Sequence, residues 1–161
     1  MLTNAKKSIA LVQGVMENSF FDLFKRRNGQ DIFVLEGRPS LEAAKQVTAQ
    51  FTKRQVVPTM IADNMAGVLF YKNLVKEIWV AYQFTEQKGA LCDIGALILG
   101  VLGKRHKVPL YLYPSSIKRR LMGDQKDIVT FGGVPTAPRG IKGYAPLVEW
   151  LPKKYITKIY E

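Results

Sequence analysis

The chain has one cysteine and one histidine, and both scarcities narrow its chemistry. Cys92 has no partner for an internal disulfide, so the fold must be held by its core, and a reducing cytoplasmic location is the expectation. His106 lies in Lys104-Arg105-His106-Lys107 at a predicted helix end, where a solvent-facing capping role is expected. Histidine-based triads and metal sites therefore lack support. No phosphate-binding loop is present, since Gly132-Gly133 lacks a following Lys-Ser or Lys-Thr and Gly14 stands alone after a predicted strand. Neither a metal nor a nucleotide cofactor is expected. The longest apolar run, Ile94 to Gly103, is too short to span a bilayer, and no charged-apolar-cleavage pattern opens the chain. A soluble protein without membrane contact is the expectation.

Acidic residues are also few: 13 Asp and Glu face 24 Lys and Arg, for a net charge of +11. The bases fall in separated groups (Lys6-Lys7, Lys25-Arg26-Arg27, Lys53-Arg54, Lys104-Arg105, Lys118-Arg119-Arg120, Lys153-Lys154), mostly at predicted helix ends, where cations complement the helix dipole. Solvation and capping are the preferred reading, because no recognition-helix or single-strand motif accompanies the charge.

What is present is a core. With 161 residues and 47% hydrophobic content, the chain is expected to form one domain over residues 1–161. Asp31 to Asn64 reads as a complete strand-helix-strand unit: Ile32 to Glu36 is a doubly covered strand, Ser40 is placed to cap a helix whose stripe is Leu41, Ala44, Thr48 and Phe51, and Val56 to Asn64 supplies the second strand. Strands joined through a helix run parallel, so Glu36, Arg38, Asp63 and Asn64 emerge at one sheet edge, where open α/β sheets bind ligands. Around this unit the pattern predicts a strand over Ser8 to Gly14, a helix over Met16 to Arg27, and a short helix over Met65 to Asn73. Further along it predicts a strand over Val75 to Gln83, a polar loop over Phe84 to Ala90, a helix over Cys92 to Gly103 with stripe Ile94, Leu97, Ile98, Val101 and Leu102, and a strand over Val108 to Pro114. Five such units imply a three-layer α/β/α sandwich on a mostly parallel, doubly wound sheet. Residues 115–146 hold five glycines and three prolines and read as a long surface segment, either a lid or a variable excursion; the chain closes on an edge strand in Tyr155 to Tyr160.

Three positions carry alternatives. Arg38, flanked by Glu36 and Pro39, is either a fixed anion-binding guanidinium, the preferred role, or a buried salt bridge holding its loop. Asp63-Asn64 can hydrogen-bond the hydroxyls of a sugar or cap the helix that begins at Met65. Cys92 is either a low-pKa thiolate at a helix N-terminus or, by preference, a small buried hydrophobe.

The motifs EGRP at 36–39, VPTMIADNMAG at 57–67, GALxxxG at 89–95, VPLYLYPSS at 108–116 and LPKKYITKIYE at the C-terminal end stand in a specific order. Together they resemble the C-terminal domain shared by methylthioribose-1-phosphate isomerase, ribose-1,5-bisphosphate isomerase and the alpha, beta and delta subunits of translation initiation factor 2B, over roughly Ser8 to Glu161. The resemblance implies a Rossmann-like domain that pairs as a homodimer, and the family's helical N-terminal domain is expected to be absent. In the isomerases of that family a cysteine follows the first strand, an aspartate ends a Gly-Ala-Asp run after the fourth, and an Asn-Lys pair opens the next helix. Aligned on these positions are Gly14, Gln83 and Cys92-Asp93, and a family glutamine falls on Glu42. Carboxylates at Glu42 and Asp93, a few Å from a phosphate, are expected to oppose its binding by one to several kcal/mol, roughly.

The leading expectation is therefore a non-catalytic binding or assembly module of the initiation factor 2B type, sensing a small phosphorylated or polar metabolite through Gly14, Glu36, Arg38, Glu42, Asp63, Asn64, Gln83, Cys92 and Asp93, with a protein partner in its assembly role. The alternative is a sugar-phosphate isomerase or related enzyme using Cys92, Asp63 or Glu42 as acid or base. RNA or ribosome association through the basic surface ranks third.

Overall fold

The computed structural model describes residues 8–25 and 30–161. The basic residues at 6–7 and 26–27 and the helix stop at 28–29 lie outside the described residues. Apolar alternation builds the sheet. In β1 (Ile9–Gln13), Ile9 and Leu11 join one buried cluster while Ala10 and Val12 join the other, so the strand is covered on both faces. β2 (Asp31–Leu35), β3 (Thr59–Ile61) and the first part of β4 (Val75–Glu86) extend the sheet in parallel, as do β6 (Leu110–Pro114) and the edge strand β10 (Lys158–Ile159). The order is β10-β6-β4-β1-β2-β3. Chain order runs outward from β1 to β3 and then returns to the other side of β1, which makes the crevice between β1 and β4 a topological switch point.

The helices divide between the two faces. α1 (Asn18–Lys25) and α2 (Glu42–Lys53) bury Phe20, Phe21, Phe24, Val47 and Phe51 against Val12, Val34 and Trp79. α3 (Ala66–Tyr71) and α4 (Ala96–His106) cover the opposite face through Leu69, Phe70 and Leu99. The result is a three-layer α/β/α arrangement on a mixed, mostly parallel sheet, as the sequence pattern implies. Among the described residues no helix is long and apolar enough to cross a membrane.

Several elements differ from their expected form. The polar stretch 84–90 is a β-hairpin: β4 runs on to Glu86, turns over Gln87-Lys88, and returns as the antiparallel β5 (Gly89–Asp93), which pairs with β9 (Val148–Pro152). Cys92 therefore lies in a strand, and α4 begins only at Ala96. α4 buries its small residues, Ala96, Gly100 and Gly103, with Leu99, and leaves Ile98 65% exposed and Val101 47% exposed. Leu97 and Leu102 of the expected stripe do pack against the core, and close approach explains the small residues beside them, since a Cβ on Gly100 would stand 2.9 Å from both Leu151 Cδ1 and Tyr155 Cβ. α2 starts from Leu41 in a left-handed conformation, with Ser40 Oγ accepting a long hydrogen bond from Glu42 N at 3.5 Å, and buries Ala43, Ala44, Val47 and Phe51. Arg54 does not simply face water: it pairs with Asp22 at 2.7 Å and lies over the Phe21 ring. His106 is half-buried with its ring 5.5 Å from that of Phe70, so it packs between α3 and α4 instead of capping in solvent. Residues 115–146 hold a one-turn α5 (Lys126–Val129) and a small hairpin, β7 (Thr130–Phe131) with β8 (Val134–Pro135).

Candidate ligand cleft at the strand ends

The cleft forms where β1 stops. Gly14 turns the chain away at φ +84, and a Cβ there would stand 2.6 Å from Ala81 Cβ on β4 and 3.1 Å from Asp93 Oδ2. A side chain at this position would be both strained and crowded, so the turn calls for glycine. From β6 the chain crosses directly over this opening. Ser115 N donates to Tyr82 O at 2.8 Å, and Ser116 N donates to Val15 O at 3.0 Å, pinning the start of residues 115–146 across the ends of β4 and β1. That pinning delivers Arg119 into the crevice.

Arg119 is the centre of the site. Its side chain is 7% exposed, its Nε donates to Asp93 Oδ2 at 2.9 Å, and its Nη1 donates to Glu42 Oε2 at 2.5 Å and Ser40 Oγ at 3.3 Å. The Arg119 backbone N–H donates to Gln83 Oε1 at 3.0 Å. Among the described residues, Nη2 has no recorded partner. The two carboxylates expected to repel a phosphate are thus bridged by one guanidinium, and Lys118-Arg119-Arg120 lies in irregular chain over the cleft, at no helix end.

Burial pushes the Asp93 carboxyl up, and Arg119 opposes the shift by charge and hydrogen bond. Three buried polar atoms beside this ion pair lack a partner: Gln13 Oε1, Gln83 Nε2 and Asp93 Oδ1. Gln13 also donates through Nε2 to Ile94 O. The inner cleft, lined by Gln13, Gly14, Arg38, Asp93 and Arg119, has a cavity volume of about 10 Å³, room for roughly one water. On the other side of Arg119 an open outer cleft of about 510 Å³ is lined by Ser40, Glu42, Lys118, Arg120, Asp124 and Asp127, a size that suits a small-molecule ligand.

The structure brings Gly14, Arg38 and Asp93 to the inner cleft and Glu42 to the outer one, and it ties Gln83 to both through Arg119. Arg38 lines the inner cleft but its guanidinium is bound to α5, and Glu36, Asp63 and Asn64 line neither cleft. Arg38 donates through Nη2 to Asp127 O at 3.0 Å and Ile128 O at 3.4 Å, and through Nη1 to Thr130 O at 3.5 Å, with the Phe131 ring 5.0 Å away. Its guanidinium thus caps the carbonyls of α5 while the residue lines the inner cleft. Asp63 accepts from Gly37 N at 2.9 Å and Arg38 N at 2.8 Å, so its carboxylate shapes the 37–39 loop. Asn64 is exposed in the 3-10 turn Asp63–Met65. Glu36 faces a separate, mostly apolar groove with Leu41, Met60 and Phe131, where burial, then the charge of Asp63, raises its pKa against Arg38.

Cys92 corrects the thiolate alternative: it is fully buried among Leu99, Leu112 and Leu151, and desolvation, then Asp93 and Glu149, push its thiol far up. The N-terminus of α4 is already filled, because Glu149 Oε1 accepts from Gly95 N at 2.7 Å and Leu97 N at 2.9 Å. Arg119, Gln13 and Glu149 escaped the sequence reading. The only signal for Arg119 was its place in a basic triplet within an otherwise glycine- and proline-rich stretch. Among the described residues no group of three or more His, Cys, Asp or Glu is placed to hold a metal.

Comparison with known proteins bears on the family and the fold. Residues 4–160 match the model of the initiation factor 2 subunit family. Methylthioribose-1-phosphate isomerase of Syntrophus aciditrophicus is 32% identical over 140 residues, 80% of this chain and 38% of that protein. The 5-deoxyribose 1-phosphate isomerase of Moorella thermoacetica is 28% identical over 140 residues, covering 80% of this chain and 40% of its own length. Among solved structures, the delta subunit of translation initiation factor eIF-2B from A. fulgidus superimposes with TM-score 0.82 at 16% identity, over 94% of this chain and 51% of that one. The 5-methylthioribose 1-phosphate isomerase from Pyrococcus horikoshii OT3 gives 0.80 at 19% identity, over 98% and 51%. At such identities these two show the fold, which is the Rossmann-like fold of this family. The chain spans about half the length, or less, of the relatives it matches. On the match across nearly its whole length, the chain belongs to the initiation factor 2 subunit family.

Proposed function

We propose that this domain binds a pentose 1-phosphate in the strand-end cleft and belongs to a sugar-phosphate isomerase, with Asp93, acting through the one water that the inner cleft admits, as the group that moves the proton. The observation that carries the reading is the Asp93-Arg119 pair at the switch point of the sheet, a desolvated carboxyl of raised pKa held against a cation beside an open cleft. Isomerising a pentose 1-phosphate breaks the C1–O4 ring bond with a proton to O4, moves a proton from C2 to C1 and turns the C2 hydroxyl into the carbonyl as it gives up its proton, with no net oxidant, so a single carboxyl can serve as base and then acid for the C2-to-C1 transfer. The relatives named as isomerases favour this reading over the non-catalytic module expected from the sequence.

That module is the second reading, favoured by Gly14 and Gln83, which bring no acid or thiol to the cleft, and by an inner cavity that admits about one water while Arg119 is seated. Phosphorus NMR of ribose 1-phosphate incubated with the protein separates the two. Conversion to a ketose phosphate that falls about a hundredfold or more in Asp93→Asn supports the isomerase. Binding without conversion leaves the module.

A further inference from the structure

We infer that Arg119 is the residue that selects phosphorylated over neutral ligands in the outer cleft, in competition with Glu42. The inference rests on the sugar-phosphate reading above and adds the residue that decides it. Arg119 forms the wall between the two clefts: Nε is held by Asp93 on the inner side, Nη1 reaches Glu42 on the outer side, and Nη2 is left without a recorded partner among the described residues.

The partners differ in how firmly they hold it. The Asp93 side chain is 8% exposed and fixed at the end of β5, whereas that of Glu42 is 47% exposed at the start of α2. A phosphate entering the outer cleft meets one guanidinium edge that is free and one held by a carboxylate with solvent access. Charge-assisted bonds to a phosphate replace the exposed Glu42 contact, while the Asp93 contact keeps the guanidinium in place. Lys118 and Arg120 flank the opening, and Asp124 and Asp127 face it from α5 and the chain before it, so without Arg119 the acidic groups Glu42, Asp93, Asp124 and Asp127 would dominate the lining. Glu42, which in the sequence alone argued against phosphate, thus becomes a tunable competitor for the group that binds it.

The two partners of the contact predict opposite effects. Titration calorimetry with ribose 1-phosphate and with ribose, on the folded chain, reads the ratio of affinities. Arg119→Gln should weaken the phosphate about tenfold or more, a loss of charged hydrogen bonds, and leave ribose within about twofold. Glu42→Gln, at an exposed position with little bearing on folding, should strengthen the phosphate by a few-fold, roughly. Arg119→Lys should fall between wild type and Arg119→Gln. If the wild type binds ribose 1-phosphate and neither Arg119→Gln nor Glu42→Gln changes the ratio, the inference is overturned while the sugar-phosphate reading stands. If the wild type does not bind it, both are overturned.

Discussion

Asp93 and Arg119 meet across 26 residues of sequence, and Glu42 joins them from 77 residues away, so their shared electrostatics exists only in the folded chain. This has a consequence in pH. The folded-state pKa of Asp93 lies above its ordinary value of 3.8, first from burial, with Arg119 limiting the rise. A carboxyl whose pKa rises on folding binds its proton more tightly when folded, so its stabilising contribution is complete below the ordinary value and is lost as pH climbs through the folded one. Glu36 adds to the descent with the same sign. Relative to the parent, Asp93→Asn should flatten the fall in thermal stability from acid to neutral pH. Arg119→Gln should extend that fall to higher pH, because the opposing cation is gone. Thermal unfolding across that range would contradict the account if Arg119→Gln moved the descent toward acid.

At this scale the sequence was legible by position and silent on pairing. Gly14, Glu42, Gln83 and Asp93 were found by their place in the family pattern, and all four bear on the cleft. Arg119 was not, because Lys118 and Arg120 beside it make a triplet indistinguishable from a solvated surface. Cys92 was misplaced for a simpler reason: a buried strand and the first turn of an apolar helix look alike when both are short and the turn between neighbouring strands is polar.

Between elements, the decisive feature is the strap of residues 115–146, tied at two points. Near its start, the bonds of Ser115 and Ser116 to Tyr82 and Val15 aim Arg119 inward. Further on, Arg38 from the loop after β2 grips the carbonyls of α5 and lies over Phe131. A four-residue helix has little stability of its own, so that grip holds it. Arg38→Ala should therefore speed hydrogen exchange of the 126–131 amides about tenfold or more, with the β1 and β4 amides unchanged. Unchanged exchange over 126–131 would show that Arg38 does not fasten the strap.

The strand-helix alternation was readable at β1, β2, β4 and β6 because strands buried in the sheet are continuous apolar runs. The hairpin of β4 and β5 was not, since Phe84 to Glu86 leave the core and show no buried period. The buried face of α4 was legible only at Leu97 and Leu102, because beside Leu99 its centre is built from glycine and alanine, whose value is close approach and not hydrophobicity.

For the molecule as a whole, the sheet order places one crevice at its switch point, and the excess of positive charge is felt there through three consecutive bases. The net charge of +11 is otherwise spread over separate groups, as expected of a well-solvated surface. Fold class and family followed from the sequence, since long apolar strands and ordered motifs survive at low identity. The candidate cleft required the chain to be closed, with β5, β9 and the strap all returning to the end of β1. Whether a sugar phosphate occupies this cleft is read by amide chemical-shift mapping of the protein during titration with ribose 1-phosphate. Shifts concentrated at Ser40, Glu42 and Lys118 to Arg120, with smaller ones at Gly14 and Asp93, are expected. Shifts centred instead on the exposed faces of α3 and α4, or on the groove beside Glu36 and Met60, would contradict that placement.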